Sequence, residues 1–170
     1  MKKISTTMLA RAGVIAGIYI VISLITFPIA SGAVQLRLSE GLCILPLIYI
    51  EAVPALFIGC LLSNVITGCA ILDVFLGSVV TLVSAVLTFF AGKIIKQVAL
   101  KILLGGIFPV MLNALTLPII WVWCYGAPEY IYFIQAGILL IGQAVSVYAV
   151  GTPLYLSIKK LNNLTKKTKT

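Results

Sequence analysis

Cutting the chain at every charged residue leaves five long uncharged stretches, 12–36, 52–72, 74–92, 102–128 and 130–158, and a shorter one at 41–50. A helix needs about 20 apolar residues to cross the hydrocarbon core of a bilayer, so the five long stretches are candidate spans. Backbone groups in hydrocarbon must be satisfied within the segment, which makes those spans helices. Composition agrees: 62% of the residues are hydrophobic and 9% charged, with a mean hydropathy of +1.21, too little polar surface to cover a water-soluble globule. The expectation is an all-α integral membrane protein, a single transmembrane domain over 1–170.

The basic residues fall in three groups: Lys2, Lys3 and Arg11; Lys93, Lys96 and Lys101; and Lys159, Lys160, Lys166, Lys167 and Lys169. The positive-inside rule puts all three in the cytoplasm, including a basic tail over about 159–170. Termini on one side require an even number of crossings, so a sixth span is expected at 38–50, a short or tilted helix with Ser39 as N-cap and Pro46 as a local kink. The path then runs over 7–28, 38–50, 53–70, 73–92, 102–123 and 130–158, and only Arg37 of the twelve basic residues faces out. The uncharged run from Ala12 to Ala30 exceeds the roughly 7–15 apolar residues of a signal-peptide core, so the first helix is expected to be retained.

The same residues exclude several functions. The net charge of +8 comes from lysines at membrane edges, where they orient the chain and meet anionic lipid, so no nucleic-acid partner is implied. The chain has no histidine and a single aspartate, Asp73, which removes Ser-His nucleophile pairs and paired-aspartate chemistry. Gly92-Lys93 lacks the earlier glycine of a phosphate-binding loop. Cys43, Cys60, Cys69 and Cys124 have no metal-ligand spacing and read as small packing residues. Neither an enzyme nor a metal or cofactor is expected.

What remains are polar side chains inside apolar spans, which are costly in hydrocarbon and so tend to face a cavity or a partner helix. Asn64, Asn113, Gln135 and Gln143 lie within spans, and Glu40 and Asp73 begin inward-running helices at the outer face. If Asn64, Asn113 and Gln143 face one another, their amide donors and acceptors suit a flat heterocycle, on which Trp121 and Trp123 would stack. The structural readings are Asp73 as a helix N-cap, Glu40 as a first-turn acid paired with Arg37, Asn113 as an interhelical hydrogen bond, and the tryptophans as interface anchors. Glu51 and Glu129 are expected in solvated loops. Helix 1 carries Ala12-x-x-x-Ala16 and Gly13-x-x-x-Gly17, a strip of small residues that lets another helix, of this chain or of a partner, come close.

Val34-Gln35-Leu36-Arg37-Leu38-Ser39-Glu40, Leu45-Pro46, Phe57-Ile58-Gly59-Cys60-Leu61-Leu62-Ser63-Asn64 and Ile71-Leu72-Asp73-Val74-Phe75-Leu76-Gly77-Ser78 together resemble the queuosine-precursor transporter family, QueT. Asn113-Ala114 and Gly151-Thr152-Pro153-Leu154-Tyr155 extend the resemblance over most of the chain. That family is similar to, and counted among, the substrate-binding S components of energy-coupling factor (ECF) transporters in prokaryotic cell membranes. The resemblance implies an S-component-like bundle of six helices, a 7-deazaguanine substrate bound from outside, and a module of one transmembrane scaffold subunit and two ATPases. It also implies that Ala12 and Ala16, with Gly13 and Gly17, dock the scaffold. The family commonly carries a glutamate where this chain has Gln143, and a neutral amide cannot balance a substrate's positive charge in low dielectric. The expected substrate site comprises Glu40, Asn64, Asp73, Asn113 and Gln143, with Arg37 and Trp121, under a lid formed by 28–37. The residues alone also admit a self-sufficient secondary carrier for a nucleobase-like solute, or a non-transport membrane scaffold.

Overall fold

Each of the uncharged stretches carries helix, and several of the charged residues between them, Asp73 and Lys101 among them, are themselves taken into the helices. The computed structural model describes residues 5–30, 36–126 and 131–167, a helical bundle with no strand among those residues. Lys2, Lys3, Gln35, Glu129 and Lys169, the 31–35 part of the expected lid, and the side chains of Cys124, Lys166 and Lys167 lie outside the described residues. The elements are α1 (Thr6–Ile25), α2 (Phe27–Ala30), a 3-10 helix (Leu38–Leu47), α3 (Ala52–Ile66), α4 (Ile71–Ile94), α5 (Val98–Tyr125), α6 (Ile131–Ala144), a π-helical segment (Val145–Val150) and α7 (Gly151–Lys167).

Four helical stretches are long and apolar enough to cross a bilayer: Thr6–Ile25, Ile71–Ile94, Val98–Trp123 and Ile131–Thr165, the last running unbroken through the π segment. Length alone thus qualifies four of the six expected spans. The other two, Leu38–Leu47 and Ala52–Ile66, are apolar but short. At the 2.0 Å rise of a 3-10 helix, ten residues reach about 20 Å, and the fifteen of α3 reach about 22 Å, against a hydrocarbon core of about 30 Å.

The packing is inverted relative to a soluble protein. The buried positions of α4 include Gly77, Ser78, Thr81, Ser84, Ala85, Thr88 and Ala91, a stripe at helical spacing, whereas Phe75 and Phe90 on the same helix are more than half exposed. Small residues inside let helices approach closely, and large apolar ones outside meet lipid. The interior hydroxyls are satisfied on the backbone, as hydrocarbon demands: Ser78 donates to the Val74 carbonyl at 2.6 Å and Thr81 to that of Gly77 at 3.2 Å, while Thr88 reaches across to the Gly105 carbonyl of α5 at 2.8 Å.

The 3-10 helix is the axle of the bundle. Its residues from Ser39 to Leu47 are all buried, and it packs against α1, α3, α4, α5, α7 and the π segment. A ten-residue 3-10 run is unusual, because its hydrogen bonds are poorer than those of an α-helix. Its slim cross-section is what the centre accommodates. A Cβ on Gly41 would come within 2.8 Å of the Ser146 carbonyl oxygen, and one on Gly151 within 2.6 Å of the Gly41 carbonyl oxygen, so glycine at both positions permits the crossing.

Three local expectations are corrected. The helix expected over 38–50 does start at Leu38, but Ser39 is not its N-cap: Arg37 holds the capping position and makes no capping bond, and Ser39 is drawn into the buried first turn. α4 begins after an extended Ala70, two residues before Asp73, so Asp73 is a first-turn acid and not the N-cap. Glu51 is not a solvated loop residue: it is buried, with Oε1 3.1 Å from Arg11 Nη1. Arg11 also lies over the Tyr49 ring at 4.8 Å, and Tyr49 and Asn162 exchange hydrogen bonds. These contacts tie α1, the turn after the 3-10 helix and α7 together at the end that also carries Lys93. That end is the basic one.

Gly41→Ala and Gly151→Ala are each expected to destabilise the purified protein by about 1–3 kcal/mol through overpacking, read as a lowered melting temperature in detergent. Gly13→Ala, where nothing lies within 4 Å, is expected to leave the melting temperature unchanged.

Candidate functional site

At the end opposite the basic residues, the helix ends open into a cavity of about 390 Å³. Its wall is contributed by Tyr19 and Ser23 of α1, Thr26 at its C-cap, Phe27 and Ala30 of α2, Arg37 and Ser39 at the start of the 3-10 helix, Ser63 and Asn64 of α3, Asp73 of α4 and Trp121 of α5. Thr67, Gly68 and Cys69 of the α3–α4 turn complete it, with Gly68 at φ +73, a backbone region that favours glycine. Four of the seven expected substrate residues therefore share one cavity: Arg37, Asn64, Asp73 and Trp121.

Asp73 is 3% exposed and its Oδ1 has no hydrogen-bond partner. A Cβ built on Gly77 would lie 3.4 Å from Asp73 Oδ1 and 3.6 Å from Asn64 Nδ2, so the bare Gly77 leaves room where these two polar groups converge. Asn64 is held by a hydrogen bond to Cys60 Sγ at 3.6 Å, which also accepts from Thr81 at 3.5 Å. Phe27 and Trp121 put aromatic rings on the same wall, whereas Trp123 is 79% exposed and faces outward as an anchor does.

Glu40 and Asn113 are not part of the wall. Glu40, 1% exposed, lies one side chain behind it, where Oε1 accepts from the Tyr19 hydroxyl at 2.5 Å and Oε2 accepts from Asn113 Nδ2 at 3.1 Å and from Cys43 Sγ at 3.2 Å. Three neutral donors thus converge on its two oxygens. Arg37, expected to pair with Glu40, closes no ion pair with it, because both carboxylate oxygens point into the bundle while Arg37 lines the cavity. Arg37 nonetheless lies within electrostatic reach of both Glu40 and Asp73.

Gln143 also departs from expectation. It is 1% exposed and neither its Oε1 nor its Nε2 has a hydrogen-bond partner, and it is absent from the cavity wall. Asn64, Asn113 and Gln143 thus do not face one another across a single site. Cys43 and Cys60, expected only to pack, hydrogen-bond to Glu40, Asn64 and Thr81. Tyr19 is a site residue that sequence reasoning misses; its one signal is a hydroxyl in the middle of an apolar helix.

The small-residue strip of α1 splits between two environments. Ala12 and Ala16 are half-buried against the core formed by Ile15, Tyr19, Ala52 and Leu56. Gly13 and Gly17 are exposed, with nothing within 4 Å of a Cβ at either.

A family model, described as QueT transporter, matches residues 9–160. The chain belongs to the QueT transporter family. With its apolar helices, family membership makes this a multi-pass membrane protein with a transport role, and a QueT-family chain is expected to act on a small molecule. No curated protein and no solved structure gives a significant match.

Glu40→Ala is expected to orphan the Tyr19, Cys43 and Asn113 donors at a cost of about 1–3 kcal/mol for each buried unsatisfied group, measured as loss of thermal stability in detergent. Glu40→Gln, which keeps one acceptor oxygen, is expected to lose markedly less.

Proposed function

We propose that this chain is the membrane-embedded substrate-binding subunit of an ATP-driven ECF-type importer, which binds a 7-deazaguanine precursor of queuosine from outside and delivers it to the cytoplasm. The observation that carries this reading, beside family membership, is a cavity in which three aromatic rings, those of Tyr19, Phe27 and Trp121, stand beside one carboxylate, one guanidinium and one amide. A flat heterocycle with adjacent donors and acceptors uses all of these: the rings stack on its face, while Asp73, Asn64 and Arg37 address its edge. The volume lies within the roughly 300–1,000 Å³ of small-molecule sites.

In this reading the chain crosses the cell membrane of a prokaryote six times, with both termini in the cytoplasm and the 3-10 helix and α3 as the two short spans. The basic end is then cytoplasmic by the positive-inside rule, and the cavity opens outward. The partner is a module of one transmembrane scaffold subunit and two ATPases. The outward Gly13 and Gly17, with Ala12 and Ala16 at the strip's inner edge, supply the face against which a scaffold helix packs.

Two experiments test the reading. Reconstituted with the ATPase module, the protein is expected to take up labelled deazaguanine only when ATP is supplied; uptake without module or ATP would instead mark a self-sufficient carrier, and no uptake with either a scaffold. Gly13→Leu together with Gly17→Leu is expected to abolish co-purification with the module while leaving ligand binding to the isolated subunit intact.

A further inference from the structure

A second cavity, of about 620 Å³, lies at the basic end of the bundle. Its polar groups are Arg11 of α1, Tyr49 and Glu51 of the turn after the 3-10 helix, and Lys93 of α4, with Leu47 and Phe89 among its apolar ones. The polar groups are incompletely matched to one another. Among the described residues Lys93 meets no carboxylate; its ammonium lies 5.3 Å from the centre of the Phe89 ring on its own helix. Glu51 is 9% exposed and holds the capping position of α3 without making a capping bond. Its Oε1 lies 3.1 Å from Arg11 Nη1, yet it accepts no hydrogen bond, so the ion pair is one of proximity alone. A buried carboxylate with unused acceptor capacity is costly, and a ligand that brings a donor removes the cost.

The place of these groups along the helices says what they meet. Arg11 lies in the second turn of the apolar helix α1 and Lys93 in the last turn of α4. Cations at the ends of apolar spans extend their stems to the headgroup layer of the bilayer. Around them Leu9, Ile50, Phe90 and Ile94 are more than half exposed, a surface suited to acyl chains. Basic pockets between transmembrane helices at this level take lipid headgroups, and guanidinium and ammonium both bind phosphate oxygens. Glu51 narrows the choice, because a carboxylate beside the two cations repels a bare phosphate and calls for an N–H or O–H donor next to the anion. Ethanolamine and glycerol headgroups carry such a donor on a short linker from the phosphodiester. Choline has the same phosphodiester and no N–H. Since the cavity opens to the salt-screened interface, net charge discriminates weakly there, and the donor is what separates these headgroups.

We infer that this cavity is a binding site for one phospholipid headgroup of the leaflet at the basic end, with the phosphate between Arg11 and Lys93 and a headgroup N–H or O–H donated to the Glu51 carboxylate. Arg11 is suited to this, since its side chain is 43% exposed and a guanidinium has five N–H donors. The bound headgroup joins α1, the turn after the 3-10 helix and α4 at one point, where the Arg11–Glu51 pair joins only the first two. The inference rests on the chain's place in a bilayer and is independent of what the opposite cavity binds.

The test titrates the purified full chain in detergent with phosphatidylethanolamine, phosphatidylglycerol or phosphatidylcholine of identical acyl chains, counting retained lipid by native mass spectrometry and following the melting temperature. One molecule of the ethanolamine or glycerol lipid is expected to be retained and to raise the melting temperature, with the choline lipid at least about tenfold weaker. Lys93 is exposed, so Lys93→Gln is expected to keep the lipid-free melting temperature of wild type and to bind both preferred lipids about tenfold more weakly. Glu51→Leu is expected to bring them down to the level of the choline lipid. Equal retention of all three lipids by wild type, or no effect of Lys93→Gln, marks unspecific annular lipid and overturns the site. Retention of the glycerol lipid alone marks plain charge attraction and overturns the role of Glu51. Equal stabilisation by inorganic phosphate marks a site for a free anion and overturns the lipid as occupant.

Discussion

The structure is organised around one carboxylate that has no business in hydrocarbon unless it is fully solvated by protein. Glu40 is buried at the centre of the bundle, and its two oxygens accept hydrogen bonds from Tyr19 of α1, Cys43 one turn along the 3-10 helix and Asn113 of α5. An ionised group in low dielectric costs several kcal/mol unless such donors replace water. The three bonds therefore fix the rotation of α1 and α5 about their axes as well as the depth of the 3-10 helix between them. Because Tyr19 also lines the cavity, the same interaction holds one wall of the candidate site in place.

The choice of a 3-10 helix for this central element follows from space and length together. It is slimmer than an α-helix and rises further per residue, so ten residues thread deep into the bundle where an α-helix of that length would fall short. Gly41 and Gly151 permit backbone-to-backbone contact at its crossing with the π segment and α7. On the other side, the stripe of glycine, alanine, serine and threonine on α4 lets α3 and α5 close around it. Polar side chains gather inside because the exterior is apolar, and the cavity opens where the helices end and the packing stripe gives way to Asn64 and Asp73.

Much of the architecture is legible in the sequence. Long uncharged runs locate the helices, since a hydrocarbon slab imposes one requirement on each segment separately. The cavity is partly legible: Arg37, Asn64, Asp73 and Trp121 stand out because polar or aromatic groups near span ends have few alternatives, and they do share a wall. Glu40 and Asn113 stand out for the same reason, yet they bond to each other behind that wall. Tyr19 escapes notice because a tyrosine in a transmembrane helix is ordinary until its hydroxyl is seen to meet a carboxylate. The burial of Glu51 beside Arg11 is illegible because it depends on how the turn after the 3-10 helix folds under α1, which hydropathy does not encode.

By itself, then, the sequence determined that this is a membrane bundle, where its helices run, which end is basic, and which polar residues must find company. Tertiary structure decided the company. The Tyr19–Glu40 and Asn113–Glu40 contacts join residues 21 and 73 positions apart, and they depend on helix rotation and crossing set by small residues such as Gly41 and Gly151. Hydrophobicity is a property of each segment and can be summed along the chain. Hydrogen-bond partnership is a property of pairs of surfaces, and only the packed bundle defines it.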